Sequence, residues 1–476
     1  MENQNNNTGI THVLVIPYIA QGHVIPLLEL AQCLIVHGTK VTFVNTEVNH
    51  KLVTKTWLER GSFGPLMHMV SIPDGMEPWE DRNDFVRSCE AMHQVMPGKL
   101  EELIETINKT DDDKISCVIA DAGMPWAIHV AEKLRIQRVM FWSAPAAAFS
   151  ALLSLQKLIN DGIIDNEGVP LHQNTFQLSP TMPSMRSTEF GWTCMGSVPT
   201  IKALFQFALI AVEAAKAAQW LLCNSTIALE SATFNLFPNL VAIGPLLASN
   251  RLAKQAGHFW NEDMTCLEWL DQQPACSVVY VAFGSFTIFN QTQFQELALG
   301  LELTNRPFLW VVRPGLTKET CDMYPDGYMD RIGTRGKIVS WAPQQAVLAH
   351  PSIACFLSHC GWNSTLEGVS RGVPFLCWPY FADQLLNRTY ICDVWMNGLG
   401  FEKDENGVIG RHEIMGKIDQ LINNREFKTR ALDLKEKVAD SIREDGPSCK
   451  NFKRFVKWTQ EKDGDGENVT KIQLGL

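Results

Sequence analysis

The stretch WAPQQAVLAHPSIACFLSHCGWNSTLEGVSRGVPFLCWPYFADQ, residues 341–384, carries the pattern of a strand, a turn and a helix. Residues 354–359 (ACFLSH) are a short apolar run of strand type, and a Cys-Gly turn follows them. Asn363 or Ser364 then stands where a helix N-cap belongs. A strand that enters a helix through such a turn directs backbone N–H groups and the positive end of the helix dipole at one point. The pattern therefore predicts a phosphate site at this turn.

The other polar and aromatic residues of this stretch match the parts of a nucleotide sugar. His359, at the strand end, can donate a hydrogen bond to the phosphate, and Trp341 offers a flat face for a base. Glu367 lies one helical turn further along the same helix face, where a carboxylate can accept hydrogen bonds from both hydroxyls of a ribose. Asp383 and Gln384 offer polar groups to sugar hydroxyls. This order along the chain predicts a nucleotide-sugar site.

Length and composition are those of an ordinary globular protein. The chain has 476 residues, enough for two or three domains, and a net charge of −11. The acidic balance argues against non-specific binding to nucleic acid and to anionic membranes. The 13 cysteines follow no framework of fixed spacings, the N-terminus lacks a signal-peptide pattern, and no window reaches 18 apolar residues. We therefore expect a cytoplasmic protein without a membrane span.

Two α/β series lie on either side of a polar segment. In the first series, apolar strands such as 11–18 (THVLVIPY) and 115–121 (ISCVIAD) alternate with helices, which is typical of a parallel sheet with crossover helices. Near-continuous apolar strands predict a sheet that is covered on both faces. The pattern predicts a first domain over 1–246, a linker over 247–263 and a second domain over 264–456.

Two polar residues of the first series are predicted to meet at one edge of its sheet. His23 stands after the first strand, at the mouth of the first crossover, and Asp121 ends another strand. Ligands of open parallel sheets gather at the carboxyl ends of strands. A carboxylate beside the second ring nitrogen orients an imidazole and stabilises its protonated form. The pair therefore predicts a catalytic base, although His23 could also be an exposed histidine at a helix start.

Several other chemistries lack their motifs. The first strand is not followed by G-x-G-x-x-G, and the chain has no G-x-x-x-x-G-K-[ST], so neither a dinucleotide cofactor nor a P-loop is predicted. Cys355, His359 and Cys360 form a poor zinc set, because on a strand the first two share a face that Cys360 does not. No metal site is predicted.

Residues 341–384 resemble the signature box of the plant secondary-product UDP-glycosyltransferases (family 1). The box is filled without a gap, and it carries the landmarks W-A-P-Q, H-C-G-W-N-S, E-G and D-Q. The resemblance implies an α/β protein of the GT-B fold, with two facing Rossmann-like domains, parallel sheets and an interdomain cleft. It also implies that residues 457–476 form a helix and tail packed on the N-terminal domain.

The resemblance implies roles for individual residues as well. His23 matches the family's general base, and Asp121 matches its partner. Ser285 is expected at a phosphate, Ser143 near the sugar, and Trp362 at the far side of the sugar ring. The positions expected to hold the donor are Ser143, Ser285, Trp341, Ala342, Gln344, His359, Trp362, Asn363, Ser364, Glu367, Asp383 and Gln384.

The implied activity is an inverting transfer of glucose from UDP-glucose, by a monomer without a further cofactor. The acceptor would be a small lipophilic molecule with a hydroxyl, such as a flavonoid, another phenolic, a terpenoid or a hormone. Phe141, Phe190, Trp192 and Met195 could line its pocket or simply pack their loop. The alternatives are transfer to a phenolic carbon, a nucleotide-sugar sensor without activity, and an NAD(P)-dependent oxidoreductase, which lacks its glycine motif.

Overall fold

The computed structural model describes residues 9–58, 64–173, 175–194, 196–247, 259–317 and 323–461. The chain divides into two compact units. The first consists of Met1–Asn174, Met195–Phe259 and Ile442–Leu476, and the second of Thr175–Cys194 and Trp260–Ser441. Residues 248–258, which make up most of the predicted linker 247–263, lie outside the described residues.

Strands and helices alternate along the described chain, as the apolar runs predict. The strands are β1 (His12–Ile16), β2 (Lys40–Thr46), β3 (Met67–Ile72), β4 (Ile115–Asp121), β5 (Gln137–Trp142), β6 (Thr175–Phe176), β7 (Met185–Arg186), β8 (Trp220–Cys223), β9 (Leu240–Ala242), β10 (Val278–Ala282), β11 (Phe308–Val311), β12 (Gly336–Val339), β13 (Ile353–Ser358), β14 (Phe375–Cys377) and β15 (Gly398–Gly400). The helices are α1 (Gln21–Val36), α2 (Glu47–Leu58), α3 (Phe85–Thr110), α4 (Trp126–Lys133), α5 (Ala146–Leu153), α6 (Leu155–Asn160), α7 (Val198–Ala217), α8 (Ile227–Leu236), α9 (Thr265–Asp271), α10 (Gln291–Leu303), α11 (Tyr328–Ile332), α12 (Gln344–Ala349), α13 (Trp362–Arg371), α14 (Gln384–Thr389), α15 (Arg411–Asn423), α16 (Arg425–Ile442) and α17 (Pro447–Gln460).

The first unit is built on a parallel sheet in the order β3-β2-β1-β4-β5-β8-β9. Strands β1 and β4 pair with Ile16 opposite Ala120, so they end side by side. Strand β5 lies on the other side of β4, with Phe141 opposite Asp121. The carboxyl edge of this sheet therefore brings the start of α1 close to the residues that end β4 and follow β5.

Helix α17 belongs to the first unit. Phe452, Phe455 and Val456 are buried in the core that β1, β2 and α1 form. The sequence predicted that residues 457–476 form the C-terminal segment that packs on this unit. The segment in fact starts earlier, because these three apolar side chains lie on a helix that begins at Pro447. Residues 462–476 lie outside the described residues.

By length and composition alone, α7 is the one helix in the described ranges that could cross a membrane. In the structure it packs against α3 and α4, and 33% of its apolar window is buried. The expectation that the chain has no membrane span stays a prediction.

The second unit is built on a parallel sheet in the order β12-β11-β10-β13-β14-β15. Its core holds stacked aromatic rings, among them Phe294 and Trp310 at 4.8 Å between centroids. Strand β10 lies between β11 and β13, so the loops after these three strands share one edge. The turn after β13 is the predicted phosphate site. Both parallel sheets confirm the predicted α/β class.

The segment Thr175–Cys194 belongs to the second unit, although the sequence predicted it within a first domain over 1–246. The reason for the correction is a contact between residues that lie far apart in the chain. The backbone N–H of Ala382 donates to Cys194 Sγ over 3.2 Å. Phe190 and Trp192 stack face to face, with centroids 4.5 Å apart and planes inclined by 12°.

Candidate active site

The structure brings His23 and Asp121 together at the carboxyl edge of the first sheet. His23 Nδ1 lies 2.9 Å from Asp121 Oδ2. The carboxylate is almost fully buried, with 1% of its side chain exposed, whereas 32% of the His23 side chain is exposed. The backbone N–H of Gly123 donates to Asp121 Oδ1 over 2.8 Å. A carboxylate held from both sides in this way orients the imidazole of His23.

Ser143 contacts the ring of His23, and its predicted place near the sugar stays a prediction. Its Oγ lies 2.9 Å from His23 Nδ1, the same nitrogen that faces Asp121. A single proton on Nδ1 is therefore shared between a carboxylate and a hydroxyl oxygen. In that tautomer the lone pair of the ring is on Nε2, which is the nitrogen that can take a proton. The edge of the Tyr18 ring packs on the same imidazole, 5.2 Å between centroids.

The loop that carries Ser143 is held by a residue that the sequence analysis missed. Glu230 is 1% exposed, and its two carboxylate oxygens accept the N–H groups of Ala146 and Ala147 over 2.8 and 2.9 Å. Ser225 Oγ donates to the same carboxylate over 2.5 Å. An acidic side chain at a helix N-terminus satisfies donors that the helix leaves unpaired. Glu230 thus fixes the start of α5, and with it the position of Ser143.

The helix after β13 begins earlier than predicted. Helix α13 starts at Trp362, and its N-cap residue is Gly361 instead of Asn363 or Ser364. Cys360 adopts a left-handed conformation with φ +64°, which reverses the chain after β13. Asn363 and Ser364 therefore lie within the first turn of the helix, and Asn363 is partly exposed. The N–H groups in the first turn of a helix and the positive end of its dipole favour an anion at such a position.

His359 is enclosed by two glycines from neighbouring loops. A Cβ on Gly284, after β10, or on Gly361 would lie 2.5 Å from His359 Nε2. Only glycine lets both backbones approach the ring this closely. Burial lowers the pKa of His359 to about 4, so the imidazole is neutral at pH 7. A neutral ring with one N–H can donate a single hydrogen bond to an anion. Ser285 follows Gly284 and is partly exposed.

We expect Gly361→Ala to lower the free energy of unfolding by about 1–3 kcal/mol, because the added methyl group collides with a packed ring. Chemical denaturation checks the value. In a His359→Ala background the same change should cost clearly less, since the colliding ring is gone. Gly416→Ala is the matched control: a Cβ there meets nothing within 4 Å, and it should be neutral or slightly stabilising in helix α15. An equal cost in both backgrounds would contradict the described position of His359.

Gln344, Ser364 and Glu367, three of the positions predicted to hold the donor, form one hydrogen-bonded group. Gln344 Nε2 donates to Glu367 Oε2 over 2.6 Å and to Ser364 Oγ over 2.7 Å. Tyr280, which the sequence analysis did not single out, donates from its hydroxyl to Gln344 Oε1 over 3.0 Å. Burial raises the pKa of Glu367 to about 7, and the amides of Gln344 and Gln345 oppose that rise. The carboxylate keeps further lone pairs for hydroxyl donors.

The residues around Trp341 match a flat site for a base. Trp341 is partly exposed, and its ring stacks on that of Trp260 with centroids 6.0 Å apart. The backbone N–H of Asp263 donates to the Trp341 carbonyl over 2.9 Å. Ala342 is 3% exposed and joins Trp341 to helix α12. Two stacked indoles hold one another in place and keep one aromatic face in a fixed orientation.

Asp383 and Gln384 lie next to one another, but their polar groups are partly engaged. Gln384 Oε1 accepts the N–H groups of Tyr380 and Phe381 over 2.8 and 3.1 Å. Its amide oxygen is therefore used within the protein, and the group that Gln384 can offer to a sugar hydroxyl is its NH₂ donor. Asn387 donates to Asp383 Oδ2 and to the Cys360 carbonyl, each over 2.8 Å. This amide therefore connects Asp383 with the turn that follows β13.

Several other residues that were predicted to contact the donor or the acceptor are buried in the structure. Trp362 is 3% exposed, and its ring packs 6.4 Å from that of Trp395; its predicted place at the far side of the sugar ring stays a prediction. Phe141 is fully buried in the core of the first unit. Phe190 and Trp192 are 6% and 7% exposed. The interpretation that they pack their loop fits these values, and Met195 lies outside the described residues.

Within the ranges that the structure describes, no group of three or more His, Cys, Asp or Glu side chains is arranged to hold a metal ion. Cys355 and Cys360, two members of the rejected zinc set, are buried free thiols.

The chain is similar to known proteins over nearly its whole length. Residues 189–459 match the family described as UDP-glucoronosyl and UDP-glucosyl transferase. UDP-glycosyltransferase 83A1 of Arabidopsis thaliana is 45% identical over 97% of this chain and 99% of its own. The structure of Os79 from O. sativa in complex with UDP has a TM-score of 0.78 at 26% identity, over 94% of this chain and 100% of that one. A UDP-glucosyltransferase from Polygonum tinctorium, described as capable of glucosylating indoxyl, has a TM-score of 0.81 at 25% identity, over 96% and 100%.

Proposed function

Since the chain belongs to the plant family 1 of UDP-glycosyltransferases, we propose that it transfers glucose from UDP-glucose to a hydroxyl of a small lipophilic acceptor and yields a β-glucoside. Membership of this family makes the chain a glycosyltransferase, and the likeness to solved relatives confirms the GT-B fold. The sugar, the stereochemistry and the acceptor are our inference.

The observation that carries the proposal is the contact of His23 Nδ1 with Asp121 and Ser143. With Nδ1 directed to a buried carboxylate, Nε2 takes the proton of the acceptor hydroxyl as its oxygen attacks the anomeric carbon of the donor. Asp121 stabilises the imidazolium that forms, as a carboxylate does beside the histidine of a hydrolase triad. The new carbon–oxygen bond forms as the bond to the diphosphate breaks. One such displacement inverts an α-linked donor to a β-glucoside.

The leaving group is UDP, and the turn after β13 supplies groups that can hold its growing charge. The N–H groups at the start of α13 and the positive end of its dipole favour an anion at that point. His359, neutral at pH 7 because burial lowers its pKa to about 4, can donate from one ring nitrogen. Donors that are already fixed before reaction need no reorganisation as charge develops, which favours the transition state over the ground state.

The experiment that tests the proposal is incubation with UDP-glucose and a mixed panel of phenols and alcohols. We expect release of UDP together with a product heavier by one hexose, detected by mass spectrometry. Binding of UDP without any product would favour a sensor over an enzyme. A product that resists acid and glucosidases would indicate transfer to carbon, the alternative that uses the same pair of side chains.

We predict that UDP-glucose is preferred over UDP-galactose, its 4-epimer. Asp383 accepts and the Gln384 NH₂ group donates, so the pair can match one arrangement of adjacent hydroxyls. A reversed 4-hydroxyl leaves a buried polar group without its partner, at a cost of about 1–3 kcal/mol. Competition between equal amounts of the two donors, with the two hexosides separated by chromatography, measures the ratio. Equal yields would show that Asp383 and Gln384 do not distinguish the 4-hydroxyl.

For the acceptor we propose a small aromatic or terpenoid molecule with a hydroxyl, such as a flavonoid, another phenolic or a hormone. Support comes from the family and from the Polygonum tinctorium relative, whose described acceptor indoxyl is of this size and class. We further propose that the enzyme acts as a cytoplasmic monomer without a metal ion or other cofactor. Full activity in the presence of a chelator is the expected result, and a rate that returns only on addition of a divalent cation would contradict it.

A further inference from the structure

Arg313, which follows β11, is a buried cation whose three nitrogens each donate a hydrogen bond to a backbone carbonyl. It is 8% exposed. Its Nε donates to the Gly284 carbonyl over 3.1 Å, and its Nη2 to the Thr287 carbonyl over 2.6 Å. Its Nη1 donates to the Pro314 carbonyl over 3.1 Å. The guanidinium therefore holds the loop after β10, the loop in which Ser285 lies.

No carboxylate among the described residues neutralises this charge. Burial is the one influence that lowers the pKa of Arg313, and arginine stays protonated nevertheless. Three carbonyl groups accept hydrogen bonds from the guanidinium, and among the described residues no negative charge balances it. A buried charge without a counter-ion is costly. An anionic ligand at the neighbouring turn would balance this charge.

The charge lies directly behind the phosphate turn. Strand β11 neighbours β10, and β10 neighbours β13, so Arg313, Gly284 and His359 follow adjacent strands at one edge. Gly284 accepts a hydrogen bond from Arg313, and the same glycine lies so close to His359 that a Cβ would be 2.5 Å from its Nε2. Arg313 also adds to the lowering of the His359 pKa that burial causes. One backbone layer thus separates the guanidinium from the site.

We propose that Arg313 is a positioning residue for the diphosphate: it fixes the loop of Ser285 and supplies the positive charge that attracts the phosphates from behind that loop. The inference rests on the proposed function, because it assumes that a nucleoside diphosphate binds at the turn. It adds a cation to a site whose other groups, the turn N–H groups and the neutral His359, carry no formal charge.

The test compares the binding of UDP with that of uridine by calorimetry. In Arg313→Gln the affinity for UDP should fall about tenfold or more, because a charge acting through a partly buried medium is lost, whereas the affinity for uncharged uridine should stay unchanged. Arg313→Lys keeps the charge and should retain most of the preference for UDP. Arg306→Gln is the matched control: Arg306 precedes the amino end of the same strand and pairs with Asp419, and UDP should bind it as it binds the parent.

Each result of this comparison either supports or overturns the inference. Unchanged UDP affinity in Arg313→Gln overturns the inference, and so does an equal loss for UDP and uridine, which would mean that the residue only supports the fold. If Arg313→Gln does not fold, Arg313→Lys decides alone: a parental preference for UDP over uridine supports the role of charge, and loss of that preference overturns it. A parent protein that binds neither ligand would contradict the proposed function instead.

Discussion

Replacing His23 with alanine will lower kcat for an aliphatic alcohol by about 10²–10⁴-fold, the usual contribution of a general base, and will leave the affinity for UDP nearly unchanged. The reason is that His23 belongs to the first unit, whereas Trp341, His359 and Glu367, which are predicted to bind the nucleotide, belong to the second. Initial rates with saturating UDP-glucose, together with calorimetric titration of UDP, measure both quantities.

The acceptor must be a weak acid in this experiment, since an acidic phenol can ionise without help and hide the loss. His129→Ala is the matched control, because His129 lies on α4 of the same unit with 46% of its side chain exposed, and it should keep the parental rate. A His23→Ala variant that transfers to an aliphatic alcohol at nearly the parental rate would remove His23 from the mechanism.

Replacing Glu367 with glutamine will weaken UDP and UDP-glucose alike, by about 1.5–3 kcal/mol, if both ribose hydroxyls donate to a charged carboxylate. Because the pKa of Glu367 is raised to about 7 by burial, UDP affinity of the parent should also fall as the pH drops through 7, where the carboxyl group takes up a proton. The variant should show no such dependence. Calorimetry between pH 6 and pH 8.5 decides; parental affinity in the variant would make Glu367 a structural helix residue.

The same substitution should stabilise the ligand-free protein. A carboxyl group with a pKa raised on folding binds its proton more tightly in the folded state than in the unfolded one. Its contribution to stability is therefore lost as the pH rises from the unfolded pKa of about 4.3 to the folded pKa of about 7. Glu367→Gln removes this penalty, which is at most about 4 kcal/mol at pH 8.

Glu296→Gln is a control for which we expect the opposite change in stability. The hydrogen bond from Arg411 lowers the pKa of Glu296, so that carboxylate stabilises the fold above its unfolded pKa and the variant should be less stable at pH 8. It should bind UDP like the parent. Urea denaturation at pH 8 should show a higher free energy of unfolding for Glu367→Gln than for the parent, and a lower one for Glu296→Gln. A Glu367→Gln protein that is less stable than the parent would contradict the burial of an unfavourable charge at this position.

Features that depend on local order along the chain could be predicted. The strand-turn-helix of 341–384 follows from its apolar run and its small turn residues, and the structure has it as β13 and α13. The meeting of His23 with Asp121 follows from the rule that parallel strands present their carboxyl ends at one edge. The predicted N-cap was wrong because Asn363 and Ser364 have the side chains that usually cap a helix, whereas Gly361, the observed N-cap residue, has no side chain.

Features that depend on distant contacts could not be predicted. Glu230 lies 84 residues from Ala146 in the chain, and Arg313 lies 29 residues from Gly284; no periodicity links either pair. Gln384 and Trp362 have the residue types that a sugar site needs, but one uses its oxygen on the backbone and the other is buried. The segment Thr175–Cys194 joins the second unit through Cys194, a contact 188 residues apart.

The anomeric configuration of the hexoside is the measurement that tests the central claim most directly. A product made from UDP-glucose and a simple alcohol or phenol, examined by proton nuclear magnetic resonance, reports whether the anomeric carbon was inverted. A single displacement assisted by His23 predicts the β-glucoside, with the large coupling of a trans-diaxial pair of protons. An α-glucoside would contradict the account, because retention requires two displacements or an attack from the side of the leaving group.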